Sequence, residues 1–278
     1  MDQQQYLMHV HKARLNLADT LYQKACDEYE IAFSYRKDYA EDLFDCTKAY
    51  DKLNNTEKTI KYLKLSIEAG CGWWNYNNDQ YLPNLKRLNK LPTASDLLLY
   101  RITYYQNINI DYLLELEKLL ARDQIVRDQN LRAQIADPNI KSSLIRIVDS
   151  ANMVALRSLI EKYGFPEFSN VGHQGESDVL ALLLHGLLKE DSLSWAYFQP
   201  KLLNAVKNGQ LMPEHYALLY DRAISDNGRE KQYYGVMPTL PIDDIENVDI
   251  RRKEIGLMPL EDELKIYHLP VPDGYIRK

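Results

Sequence analysis

Apolar side chains recur along this chain three and four residues apart, the period of a helix, and almost nowhere in the strict alternation of a half-buried strand. The clearest stripe is Leu113, Leu116, Leu119, Leu120 and Ile125, which a single helix face would bury. Asn109-Ile110-Asp111 precedes it and supplies the side chain that caps a first turn. Asp137-Pro138 interrupts the pattern, and a further helix is expected from about Asp149 to Tyr163, stopped by Gly164-Phe165-Pro166. Ser177 reads as the cap of an apolar helix Val179 to Leu188, Pro200 as the start of the next, which Gly209 ends, and Pro213 as the start of another carrying Tyr220-Asp221-Arg222. After Gly228 only Lys231-Gln232-Tyr233-Tyr234-Gly235-Val236 is β-prone, enough for a small hairpin at most. The pattern predicts a mainly α protein.

The N-terminal third repeats. Ala25, Tyr29 and Ala32 are matched 34 residues later by Thr59, Leu63 and Ser66, so that small residues recur where two helices must approach closely and large ones where a hole must be filled. Leu43, Cys46, Thr47, Tyr50 and Asn54 fall on the helix between, Asn54-Asn55-Thr56 makes the turn and caps the helix that follows, and Gly70 ends it. This unit resembles a tetratricopeptide (TPR) hairpin. The preceding stretch, Gln3 to Arg36, places His9 and Lys12 where large apolar residues belong and is expected to be an atypical, capping unit, while Asp79 to Leu88 looks like the helix that closes such arrays. Ordinary α-hairpins packed on a second domain would show the same spacing. The resemblance implies a groove for an extended protein or peptide partner. Trp73, Trp74 and Tyr76, in a Gly- and Asn-rich loop, read as an exposed contact patch or as a loop anchor; the anchor is favoured because aromatic rings bury most of their area when they can.

Pro92-Thr93-Ala94-Ser95-Asp96 marks a boundary, giving a helical repeat region over 1–92, a linker helix over 93–107 and a mainly helical C-terminal domain over 108–278. With 278 residues, 45% of them apolar, the chain can bury a real core without staples. Cys26, Cys46 and Cys71 show no zinc or disulfide spacing and read as reduced core thiols. A formal charge of −6 without a basic run argues against nucleic acid, which needs a concentrated cationic face. No apolar run approaches the roughly 18 residues of a membrane span. Met1-Asp2-Gln3-Gln4-Gln5 lacks the basic and apolar parts of a signal peptide, which points to the cytoplasm; an exported protein trimmed of its leader would look the same.

From about Leu113 to Tyr267 the order of local motifs is similar to an uncharacterised bacterial family, domain of unknown function 6624, often preceded by TPR-like repeats. The matching residues are Asp123-Gln124 with Arg127, Asp149 with Asn152, Tyr163-Gly164-Phe165-Pro166, Val171-Gly172, His185 and Tyr220-Asp221-Arg222. They continue with Gln232 and Tyr234-Gly235, Pro241-Ile242-Asp243, Val248 with Arg251-Arg252, and Gly256-Leu257-Met258-Pro259-Leu260. Leu184 before the histidine and Val236-Met237 after the Tyr-Gly stand where the family pattern is polar. The resemblance implies no particular activity.

Familiar catalytic signatures are absent: there is no phosphate-cradling glycine loop, HExxH, GxSxG elbow or EF-hand loop. The chemistry-bearing residues are polar groups in apolar helices, costly to bury unless they satisfy one another or a ligand. His185, Asp221, Arg222 and Gln232 are the candidate catalytic set, and Asp123, Gln124, Arg127, Tyr234 and Arg252 the candidate binding set. In one arrangement Arg222 and Arg252 bridge Asp123 and Asp221 and tie the last segment down; in the other, Arg127, Arg222 or Arg252 holds an anionic group and His185 acts as acid or base. His9, His11, His173, His215 and His268 show no metal-ligand spacing, and neither a metal nor another cofactor is expected. Two functions follow: an interaction protein working through the TPR-like region, or an enzyme of unrecognised type, a hydrolase or transferase.

Overall fold

A computed structural model describes residues 2–72, 81–187, 193–225, 230–237 and 240–276. Its helices are α1 (Asp2–Ala18), α2 (Tyr22–Tyr35), α3 (Ala40–Lys52), α4 (Thr56–Glu68), α5 (Pro83–Arg87), α6 (Ala94–Asn107) and α7 (Ile110–Arg127). They continue with α8 (Gln129–Ala133), α9 (Pro138–Tyr163), α10 (Phe168–Gly186), α11 (Leu193–Lys207), α12 (Pro213–Ile224), α13 (Val248–Ile255) and α14 (Leu260–Ile266). The fold is mainly α. Among the described residues no strand forms, and the β-prone segment contributes one parallel bridge, Gln232 with Ile242, in place of a hairpin. No helix is long and apolar enough to cross a membrane among these residues.

The chain divides into two compact units, Met1–Ile108 with Arg252–Lys278, and Asn109–Arg251. Residues 252–278, grouped by sequence with the C-terminal domain, therefore belong with the N-terminal unit. The physical reason is local: α14 packs on α1, and Lys265 Nζ donates to Asp19 Oδ2 at 2.7 Å.

In the first unit α1 packs on α2, α2 on α3 and α3 on α4. Ala25, Tyr29 and Ala32, and 34 residues on Thr59, Leu63 and Ser66, are all buried to 1% exposure or less, so the periodic positions are the ones the helices close upon. Cys26, Cys46 and Cys71 are buried and unbridged. Asn55 caps α4 through the Lys58 N–H. Helix α5 begins at Leu82 in the left-handed region (φ 54°) without a side-chain cap of its own; buried Asp51 on α3 takes over, accepting the N–H groups of Asn84 at 3.0 Å and Leu85 at 2.8 Å. The expected closing helix thus shrinks to five residues. Trp73, Trp74, Tyr76, Asp79, Gln80, Leu188 and Gly228 lie outside the described residues.

In the second unit α7 packs against α9 and α10, and α12 against α10 and α11. Asn109 caps α7 as its sequence predicts. Three boundaries differ from expectation. Helix α9 starts at Pro138, capped by Asp137, well before Asp149; Ile140, Leu144 and Ile147 recur on its first turns at helical spacing although they are exposed in the folded chain. Ser177 lies inside α10: the helical run begins at Phe168 and is interrupted at Gly172 (φ 68°), a conformation that glycine adopts without a Cβ penalty. Pro200 lies inside α11, which forgoes one internal hydrogen bond at that turn instead of starting there.

Candidate functional site

The candidate residues separate into distinct places. Asp123, Gln124 and Arg127 stand on the last turns of α7, and His185 on the last turn of α10. Arg127 lies one turn after Asp123, the spacing that lets the two side chains meet on one helix face. Its Nη1 donates to Asp123 Oδ1 at 2.7 Å while Nη2 forks onto both oxygens of Asp149 on α9 at 2.7 and 2.9 Å. Asp123 is 1% exposed. It also accepts from Gln124 Nε2 at 2.8 Å and faces His185 Nδ1 at 2.9 and 3.1 Å. Burial pushes the Asp149 carboxyl up from its ordinary range, against the hydrogen bonds and charge of Arg127, which pull it down. Beside this chain Arg122 donates to Asn152 Oδ1 at 2.8 Å, which in turn reaches the Leu119 carbonyl. The result is an alternating row, His185, Asp123, Arg127, Asp149, that joins three helices.

With the Asp123 carboxylate on Nδ1, the imidazole of His185 carries its proton there and leaves Nε2 as the acceptor. The side chain is 32% exposed. Such a pair can take a proton from a water or hydroxyl, but Arg127 is committed between two carboxylates and offers no anion cradle. Among the described residues no cluster of His, Cys, Asp and Glu has the arrangement of a metal site.

Asp221, Gln232 and Tyr234 form a second place. Asp221, on α12 and fully buried, accepts the N–H groups of Tyr233 at 2.7 Å, Tyr234 at 2.8 Å and Val236 at 3.2 Å. Burial raises its carboxyl above the ordinary value, and the backbone N–H groups of Tyr234, Tyr233, Val236 and Gly235 oppose that rise. Gln232 accepts from the Met237 N–H and donates to the Met237 carbonyl, both at 2.6 Å. Tyr234 packs edge-on to Tyr216 and Tyr220. These residues fold a loop onto a helix.

Arg222 is exposed on α12. Arg252 is fully buried in the other unit, where Nε donates to the Met258 carbonyl at 2.7 Å and the guanidinium meets Glu263. The expected bridging of Asp123 and Asp221 by Arg222 and Arg252 is therefore replaced by Arg127 and His185 at Asp123 and by backbone amides at Asp221. A turn of chain presents several N–H groups to one carboxylate, and sequence spacing does not show that.

The first unit holds a groove, and its position and lining are what the sequence pattern left open. The groove holds about 590 Å³ and opens between α2 and α4. Phe33 and Tyr62, buried to 4% and 5% exposure with ring centroids 5.6 Å apart, form its floor with Leu43 and Leu65. Glu30, Lys37, Lys58 and Lys61 line it. Glu30 accepts from Lys58 Nζ and Tyr50 Oη at 2.7 Å and from Tyr62 Oη at 3.2 Å. Against burial, which raises it, these donors hold the Glu30 carboxyl below its ordinary value. Lys37 and Lys61 are exposed and have no carboxylate partner among the described residues. The available signal was Lys58, Lys61, Tyr62 and Leu65, which share one side of α4 at helical spacing. A second groove of about 540 Å³, in the other unit, is lined by Ile160, Phe165, Tyr197 and Pro200, with Lys201 the charged residue among its lining.

No family model, curated protein or solved structure matches this chain.

Proposed function

We propose that this chain is an interaction protein whose N-terminal unit receives an extended segment of a partner protein in the groove between α2 and α4. The carrying observation is that groove: an open concavity of about 590 Å³ with a floor of two aromatic rings, set into packed helical pairs. Its volume lies within the range, roughly 300–1,000 Å³, of sites that bury most of a ligand. An aromatic floor with polar walls is also the composition expected where a few anchors carry the binding energy. The α2 and α4 backbones are fixed by the buried small residues Ala25, Ala32, Thr59 and Ser66, so the groove exists before a ligand arrives.

Selection of a random peptide library on the full chain tests this. Ser34 is exposed and lines the groove near the end of α2, so Ser34→Trp fills the space without opening the core. Selected peptides should bind the native chain and lose at least about tenfold on the Ser34→Trp variant at unchanged thermal stability. Peptides that bind both equally would remove the groove from the account.

The enzyme reading has one observation in its favour, the imidazole of a part-exposed His185 held at 2.9 Å by a buried carboxylate. It requires turnover of simple ester or phosphate substrates that is lost in both His185→Gln and Asp123→Asn. Turnover indifferent to these changes, or none at all, ends that reading.

A further inference from the structure

Resting on the groove reading, we infer that the bound segment is acidic, with Asp or Glu side chains flanking an aromatic or aliphatic anchor. Four charged side chains line the groove, and they are not equivalent. Glu30 and Lys58 neutralise each other at 2.7 Å, and Glu30 is further occupied by Tyr50 and Tyr62. That leaves Lys37 and Lys61 as the groove's net charge. The Lys61 ammonium stands 5.1 Å over the Tyr62 ring, which holds its charge against the aromatic lining of the groove.

A local excess of positive charge in a chain of net charge −6 has a consequence for recognition. An acidic segment is repelled by the molecule as a whole and attracted at this groove, which selects both partner and register. The cations are lysines, compact point charges, and no arginine lines the groove. The planar fork that grips an anion bidentately is therefore missing, and the lysines act as point charges toward the carboxylates of an acidic segment. Two lysines are also too few for a nucleic-acid backbone, whose binding grows with each phosphate neutralised. The floor of Phe33, Leu43, Tyr62 and Leu65 calls for an apolar side chain between the acids.

The test uses three labelled peptides of one design: glutamates interspersed with leucine and phenylalanine, the same peptide with glutamines, and the same with lysines. Fluorescence anisotropy with the full chain should rank glutamate first, with the glutamine peptide about tenfold weaker or more at low salt and the advantage shrinking as salt is added. Lys37→Glu combined with Lys61→Glu should abolish the preference for acid. Lys24→Glu, on the exposed first turn of α2, serves as control and should leave it unchanged. A glutamine or lysine peptide that binds as well as the glutamate peptide, while Ser34→Trp still blocks all of them, overturns the acidic specificity and leaves the groove standing. Acid preference that survives the double charge reversal overturns the assignment of Lys37 and Lys61. If none of the three binds and library-selected peptides ignore Ser34→Trp, the groove reading falls and the inference with it.

Discussion

One site in each unit shows buried and exposed charges used in opposite ways. In the Asn109–Arg251 unit the polar groups on apolar helices are spent on one another: Arg127 is committed to Asp123 and Asp149, and Asp221 to three backbone amides. In the first unit the groove between α2 and α4 keeps two lysines in its lining after Glu30 and Lys58 have cancelled. A buried charge must find partners within the fold, because desolvation penalises it otherwise. An exposed charge has no such obligation and remains available to a ligand. Burial of a polar residue is thus first a statement about the fold, and availability has to be read from what its partners leave over.

The sharpest way to break this comparison is Asp221→Ala. It removes the acceptor for the Tyr233, Tyr234 and Val236 amides and should cost about 3–5 kcal/mol, seen as a large fall in Tm. An unchanged Tm would mean that the loop holds itself. Next comes Arg127→Ala, which leaves the Asp123 and Asp149 carboxylates without their shared cation. Because Arg127 is 18% exposed, solvent offsets part of the loss, and about 2–3 kcal/mol is expected, more than for the exposed Arg222→Ala.

Asp178 sharpens the same contrast with the opposite sign. It is 1% exposed on α10, accepts from Gln174 at 2.7 Å, feels Glu117 on α7 and His173 on its own helix, and burial lifts its carboxyl from 3.8 to about 6. A carboxyl raised in the folded state is ionised there at a cost. That cost is absent below about pH 4, grows as pH rises through 4 to 6, and is constant above. Asp178→Asn should therefore stabilise by on the order of 1–3 kcal/mol at pH 7 and by little at pH 4. Denaturant unfolding at the two pH values checks it, and equal gains at both would remove the titration from the account. Smallest of all, Lys37→Glu and Lys61→Glu should each shift stability by less than about 0.5 kcal/mol, since neither lysine holds a carboxylate in the fold.

Much of the helical architecture was legible because it is local. Asn109 and Asn55 at helix starts, Pro213 in a first turn and Gly164 at φ 87° after α9 are choices that nearby backbone geometry dictates. The small and large residues repeating at 34 positions are likewise the ones buried. What stayed hidden depends on distant partners. His185 and Asp123 are 62 residues apart, and Arg127 and Asp149 are 22 apart, so composition nominated the right groups without matching them. Ser177 before an apolar run has the signature of a cap, and only the earlier start at Phe168 shows it inside a helix. The lining of the groove stayed hidden for a different reason: lysines at helical spacing look like any solvated face until Phe33 on a neighbouring helix meets Tyr62.

Hydrogen exchange on the full chain, with and without a library-selected peptide, addresses the central claim most directly. If the groove is the binding site, amides in and beside residues 30–37, at the end of α2 and just after it, and 58–65 on α4 should gain protection on binding, and the Ser34→Trp variant should show none of it. Protection confined to the ends of α7 and α10 around Asp123 and His185, with α2 and α4 unchanged, would contradict the account.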